Sequence, residues 1–322
     1  MILTVTLNPC IDKTLTLEYY TPGTGNRVQQ VEAIAGGKGI NVARMARNLG
    51  AEVLALCILG GTAGIEIGNL LARDRIPYHG VIIQERSREI TTVRETLAER
   101  QTVFFEPGPA LNATERDALL AAYRKFLPAS QLVVLGGAIP NSSCVGLYPA
   151  MIALAREQGK RVILDSHGTG LKEGIAARPY MVKPNQEEAA EILGRPVKNE
   201  ADIQTAAQHF LARGIAVVVI SLGKAGALLV TENLALRAYP PHIKEINPVG
   251  SGDSLVAGLA VGILKGYSWE ESLRLGVAAG AANAAMWTAS SCTREQVEAL
   301  LPAVKITPVS PAVSAVTATR AD

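Results

Sequence analysis

No run of lysine or arginine stands out in this chain, and its formal net charge is only +2. A nucleic-acid binder must neutralise a row of phosphates, so that class is not expected. No stretch reaches the roughly 18 unbroken apolar residues that a membrane-spanning helix needs, so no membrane partner is expected either. The opening segment, Met1 to Asn8, carries no basic region and reads as a strand, not as a signal peptide. The four histidines form no HExxH pattern, and Cys10, Cys57, Cys144 and Cys292 have no metal-ligand spacing, so nothing points to zinc. Reduced, buried thiols in a cytoplasmic protein are the expectation. No internal repeat or low-complexity domain is visible.

What is present describes a well-buried globular protein: 48% hydrophobic and 19% charged residues. The 322 residues suffice for one large α/β domain, or one domain with a small appendage. Apolar, β-branched runs at 2–7, 53–59, 132–135, 162–165, 181–183 and 217–221 alternate with helical patterns at 39–49, 65–75, 113–126, 144–158, 186–193 and 203–213. Such alternation predicts a mostly parallel sheet covered by helices on both faces. In that architecture ligands gather where the strands end, and the strand ends here run into Gly, Asn, Asp or Ser.

Two stretches, about 13–34 and 80–107, lack helical period and carry alternating β-prone residues, so a small separate sheet is expected there. It could serve as a lid that keeps water from a reacting phosphoryl group, or as a dimer surface. After Thr307 the composition shifts to Pro, Ser, Ala, Thr and Val, which reads as a loosely attached tail over 308–322.

The most informative segment is Asn247-Pro-Val-Gly-Ser-Gly-Asp253, followed by small and apolar residues to Leu264 that read as a buried helix. Glycines at 250 and 252 let backbone N–H groups converge, and the helix start adds unpaired N–H groups and its positive dipole end. That arrangement binds an anion. A carboxylate beside it makes sense if Asp253 takes a proton from a hydroxyl that attacks a phosphoryl group.

Other motifs have plainer readings of their own. Ala35-Gly-Gly-Lys-Gly-Ile-Asn41 lets the backbone approach a ligand, with Lys38 for a negative charge and Asn41 for hydroxyls. It fits neither a Walker A frame nor a dinucleotide fingerprint, and a tight strand-to-helix turn would use the same letters. Asn185 and Glu188, in Lys183-Pro-Asn-Gln-Glu-Glu188, share one face of a helix start. They could organise Mg²⁺ through water, or simply cap the helix. Ser221-Leu-Gly-Lys-Ala-Gly226 could bracket a nucleotide or be a hairpin turn. Asp12 could accept bonds from sugar hydroxyls, and Arg27 and Arg88 suit phosphate recognition, although isolated surface arginines are common.

These motifs in this order resemble the ribokinase-like family of sugar kinases, in its phosphofructokinase-B branch, over roughly residues 1–306. Thr6-Leu-Asn-Pro-Cys-Ile-Asp12, Asn26-Arg-Val28 and the 247–254 segment are most similar to the 1-phosphofructokinase and tagatose-6-phosphate kinase subgroup. The resemblance implies a three-layer, Rossmann-like α/β domain over 1–307 with a β-sheet lid that often pairs two subunits. It implies Asp253 as catalytic base, with Gly250, Ser251 and Gly252 forming the anion hole. Asn185 and Glu188 would organise Mg²⁺. Lys183, Asn185, Ser221, Gly223, Gly226 and Asn283 would line the ATP site. Asp12, Gly37, Lys38 and Asn41 would hold the sugar, with Arg27 and Arg88 on its phosphate. The implied activity is ATP-dependent phosphorylation of a ketohexose phosphate, of the fructose 1-phosphate or tagatose 6-phosphate type, to a bisphosphate. A kinase for another sugar or a nucleoside, or a silent sugar-phosphate sensor, are the alternatives. The chain departs from the family pattern mainly on the acceptor side: Gly136-Gly-Ala-Ile-Pro-Asn-Ser142 lacks the usual hydroxyls, and His167 replaces a small polar residue.

Overall fold

The computed structural model describes residues 1–309. The apolar runs form a ten-stranded sheet in the order Lys305–Pro308, Ala235–Tyr239, Ala227–Val230, Val217–Ser221, Met181–Val182, Arg161–Asp165, Leu132–Gly136, Ile2–Thr6, Val53–Gly60, Tyr78–Ile83. The seven strands from Val217–Ser221 to Tyr78–Ile83 run parallel, and the three at the other edge are antiparallel. The central strands are buried on both faces, which is why they read as continuous hydrophobic runs. A separate hydrophobic cluster forms on each side of the sheet.

The helix starts are written locally. Asn112, Asn185 and Ser268 each accept from the backbone N–H three residues on, where a glutamate returns the bond. The helix Ser251–Lys265 is apolar nearly all round and lies against Trp269–Ala284 at very short range. A Cβ on Gly258 would sit 2.5 Å from the Gly276 Cα, so only glycine permits this contact. The same helix packs against Lys38–Asn48, which sets two loop-to-helix turns side by side.

The small sheet has the order Gln30–Gly36, Cys10–Leu17, Arg88–Glu95, Arg100–Phe105. Its central pair is parallel and its outer pairs antiparallel. Its limits differ from the sequence expectation in two places. It begins at Cys10 and not near residue 13, so Asp12 sits on a strand of the small sheet. Residues 78–83 pair with Val53–Gly60 and belong to the main sheet, because their alternation fits an edge strand equally well. At the start of the expected tail, Pro308 closes a strand and the Val309 N–H reaches the Ala235 carbonyl at 2.9 Å. The rest of that segment, 310–322, lies outside the described residues. Among the described residues no helix is long and apolar enough to cross a membrane.

Candidate active site

The Asn247–Gly250 turn is held from several sides. The Asn247 side-chain oxygen Oδ1 accepts the Val249 N–H at 3.1 Å, and its Nδ2 donates to the Trp287 carbonyl at 2.8 Å. Gly250 takes φ +82°, a left-handed conformation in which a side chain would be strained, and a Cβ there would also press on Ala289 at 2.9 Å. The helix begins at Ser251, earlier than the sequence suggested, so Asp253 lies in its first turn, where the dipole favours a negative charge. The Ser251 N–H is already bonded to the Pro248 carbonyl at 3.1 Å. Among the described residues the backbone N–H groups of Gly250, Gly252 and Asp253 have no partner, so these are the open donors of the turn. A Cβ built on Gly252 would stand 3.5 Å from the Lys183 ammonium. Open amides and a buried cation therefore face one space.

Three strand or turn ends bring opposite charges to that space. The fully buried Asp165 pairs through one oxygen with Lys38 at 2.9 Å and Lys183 at 3.4 Å. Its other oxygen has no hydrogen-bond partner among the described residues. Burial works to raise the Asp165 pKa, but the two lysines outweigh it and hold the carboxyl below the usual range. Burial opposes the charge on Lys38, yet Asp165, Asp253 and Glu188 together raise its pKa, so it stays a cation. Asp253 moves the other way. Burial pushes its pKa up and the Asp165 charge adds to the rise, against Lys38, the Asn41 hydrogen bond and Lys183. A carboxylate kept more basic than usual suits proton abstraction.

Asn41 donates its side-chain N–H to Asp253 Oδ2 at 2.8 Å, joining the two turns. The Gly37 turn has φ +113°, and a Cβ on Gly37 would meet Thr6 at 2.7 Å. Asp12 is partly buried on the small sheet. Burial raises its pKa while Arg44 and Arg88 oppose the rise. Arg88 stands opposite Cys10 in the neighbouring strand, makes long bonds to the Asn8 carbonyl (3.4 Å) and the Glu106 carbonyl (3.5 Å), and buries its Nε without a partner among the described residues. Arg27 lies in an exposed connection that Asn26 closes on Thr21, and among the described residues no bond ties it to the cluster.

On the opposite side Asn185 and Glu188 form a reciprocal capping box, each at 2.8 Å. Asn185 bridges Ser221, whose N–H bonds the Pro184 carbonyl at 3.0 Å. The Ser221–Gly226 segment is a hairpin turn. Gly223 is exposed at its tip, while at Gly226 a Cβ would collide with the Ala238 carbonyl at 2.0 Å. Asn283 is buried with its amide spent on the Val249 carbonyl (2.8 Å) and the Ser251 hydroxyl (2.9 Å), so its described contacts brace the Gly250 turn. A cavity of about 230 Å³ separates the small sheet from the 247–249 and 287–289 segments, and of the expected site residues only Asp12 lines it. Above it the Arg94 guanidinium stacks 3.2 Å from the centre of the Trp287 ring, tying the small sheet to the main body.

Residues 5–295 match the pfkB family of carbohydrate kinases. The chain belongs to that family. It is 33% identical over 287 residues to the tagatose-6-phosphate kinase of Staphylococcus epidermidis, covering 88% of this chain and 92% of that protein. It is 34% identical over 298 residues to the ATP-dependent 6-phosphofructokinase isozyme 2 of Mycobacterium tuberculosis, covering 92% of this chain and 88% of that one. Escherichia coli phosphofructokinase-2, solved in complex with fructose-6-phosphate, superposes with a TM-score of 0.86 at 30% identity, over 94% of this chain and 98% of that one. The expected ribokinase-like architecture, a large mostly parallel sheet with a small separate sheet, is therefore the fold of this pfkB carbohydrate kinase.

Two residues of this buried polar cluster were not singled out from the sequence. Asp165 ends an apolar strand, as acidic site residues of α/β sheets do, yet nothing in its neighbourhood shows that two lysines from distant segments converge on it. Arg44 stands three residues after Asn41, one helical turn on the same face, and that spacing was a usable signal.

Proposed function

We propose that this chain transfers the γ-phosphoryl group of ATP to the primary hydroxyl of a ketohexose phosphate, giving a bisphosphate. The observation that carries the reading is the buried Asp253, set in a helix first turn beside open amides and facing Lys38 and Lys183. The transferred group passes through a state with charge spread over its outer oxygens, so positioning and fixed positive charge supply most of the catalysis. The Gly252 and Asp253 amides meet that charge, with Lys183 and Lys38 beside them. Asp253 accepts the hydroxyl proton as the oxygen attacks, and Asn41 holds the carboxylate from the far side.

A phosphorylated acceptor is favoured by Arg88, whose buried, unpartnered Nε is a donor waiting for an anion. Asp12 on the adjacent strand would take sugar hydroxyls. Mg²⁺ would be organised by Asn185 and Glu188, and Glu188 caps its helix through one oxygen while still facing Lys38. When bound, the metal would supply positive charge against the nucleotide phosphates. The small sheet, clamped by Arg94 on Trp287, is read as the lid that shields the reaction from water. Its exposed Val31, Phe104 and Phe105 support pairing with a second copy.

ADP release, measured with fructose 1-phosphate, tagatose 6-phosphate, fructose 6-phosphate and the unphosphorylated sugars, tests the reading. Turnover is expected with one or more of the phosphorylated ketohexoses and little with the free sugars. Equal turnover of free sugars would refute the phosphorylated acceptor, and no ADP with any acceptor would refute the kinase.

A further inference from the structure

An asparagine side chain offers a carbonyl oxygen on one side and an NH₂ group on the other, and the two are nearly the same shape. A carboxylate that has to work as a base needs the NH₂ side, because it can only accept. Asn41 presents that side to Asp253 at 2.8 Å. Its carbonyl oxygen is taken by Arg44, whose Nη1 donates to it at 3.0 Å. A guanidinium has donors only, so an Asn41 turned the other way would set its NH₂ against Arg44 and its oxygen against Asp253. Both contacts would then be repulsive.

Arg44 is itself held in place. It is buried, with 6% of its surface exposed. Its Nη2 donates to the Ala35 carbonyl at 2.6 Å, and Nη2 and Nε reach Asp74 Oδ2 at 3.3 and 3.4 Å. Asp74 closes the helix Gly61–Arg73 and keeps partial contact with water. A continuous chain thus runs from Asp74 through Arg44 and Asn41 to Asp253. It joins both catalytic turns to the root of the small sheet at Ala35.

We propose that Arg44 is a positioning residue for phosphoryl transfer: it fixes the Asn41 amide so that an N–H always faces Asp253. This rests on Asp253 being the base. The charged groups that face Asp253 are Lys38 on the helix of Asn41, Asp165 at its strand end, and Lys183 after Met181–Val182; those that face Arg44 are Asp74, Arg73 and Asp12. None of the others touches Asn41 by a described hydrogen bond. Without Arg44 the amide turns, Asp253 loses a bond to its charged form, and its pKa rises. A base that must be ionised then fails at a higher pH.

The test is kcat and kcat/KM against pH for Arg44→Met, Arg44→Lys and Asp74→Asn, using the full chain and the ketohexose phosphate that gives the most ADP release. In Arg44→Met the acidic limb is expected to move up by about one pH unit, a typical effect of one lost hydrogen bond to a carboxylate. At a given pH on that limb kcat should fall by up to about tenfold, with KM changed less. Arg44→Lys keeps the charge without the fork and should recover only part of the rate, and Asp74→Asn should move the limb the same way by less. In an Asn41→Ala background, Arg44→Met should cost less than about twofold more, because the two act as one unit. An unmoved limb in all three variants overturns the proposal, as do losses that multiply in the Asn41→Ala background. If Arg44→Met does not fold, Arg44→Lys and Asp74→Asn decide by the same limb. Asp253→Asn separates this from the reading beneath it. Near-normal turnover there removes the base itself. A large loss there, with an unmoved limb in the Arg44 variants, removes only the role of Arg44.

Discussion

Replacing Asp165 by asparagine removes one charge from the centre of the site and leaves the shape unchanged. In the folded protein that carboxylate is completely buried, bonded to Lys38 at 2.9 Å and to Lys183 at 3.4 Å, with Lys183 only 3% exposed. The substitution leaves two cations facing each other without their shared counter-ion. Breaking a buried ion pair by removing one partner typically costs about 3–5 kcal/mol. Lys38 keeps 28% of its side chain in water and can turn outward, which places the expected loss near the lower end, about 3 kcal/mol. At an unfolding entropy of about 2.1 cal/mol/K per residue, each kcal/mol moves the melting temperature of a domain of this size by about 1.5 °C, so Asp165→Asn should melt about 4–5 °C lower at pH 7. The pH dependence has a definite sign. The folded-state pKa of Asp165 is depressed, so its stabilisation is present above the unfolded value of about 4 and is lost as pH falls through the folded value. The gap between wild type and variant should therefore hold from pH 5 to 8 and narrow below pH 4. Calorimetry across that range tests it. A melting shift below about 2 °C at pH 7, or a gap that widens in acid, would refute the reasoning.

Gly252→Ala is expected to fold normally, since the residue has no positive φ and its nearest neighbour, the Lys183 ammonium, would be at an ordinary 3.5 Å. The new methyl group would occupy the space assigned to the transferred phosphoryl, so kcat/KM should drop by about tenfold to a hundredfold. An unaltered rate in that variant would move the anion site elsewhere. Arg88→Met should raise KM for a phosphorylated ketohexose about tenfold or more while changing kcat less, because it removes a charge-assisted donor from the acceptor and leaves Asp253 untouched. If KM stays level in steady-state assays, Arg88 does not read the acceptor phosphate.

Much of the architecture was legible because the central strands are buried on both faces and the helices between them carry local caps. Val217–Ser221, Ala113–Phe126 and Gln186–Leu193 fall where the sequence pattern puts them. The edges were harder. Tyr78–Ile83 alternates like a strand of the small sheet, and only its pairing with Val53–Gly60 assigns it to the large one. Ala235–Tyr239 and the edge strand Lys305–Pro308 are short, and their pattern is too brief to separate from loop. The glycine turns could be recognised, since Gly37 and Gly250 require a backbone that other residues resist. What could not be read was convergence. Lys38, Asp165, Lys183 and Asp253 come from four separate segments, and they meet only because parallel strand ends and two packed helices bring them together. Sequence also could not distinguish donors already spent, such as the Ser251 N–H, from those left open.

The central claim is that Asp253 is the base, and Asp253→Asn tests it with two readings of one variant. Turnover should fall by about 10²–10⁴ while ATP and acceptor still bind. Because burial raises the Asp253 pKa, its ionised form costs stability near neutral pH, so the variant should melt no lower than wild type. A silent, well-folded, ligand-binding protein is the predicted result. Near-normal ADP release from a folded Asp253→Asn protein would contradict the account.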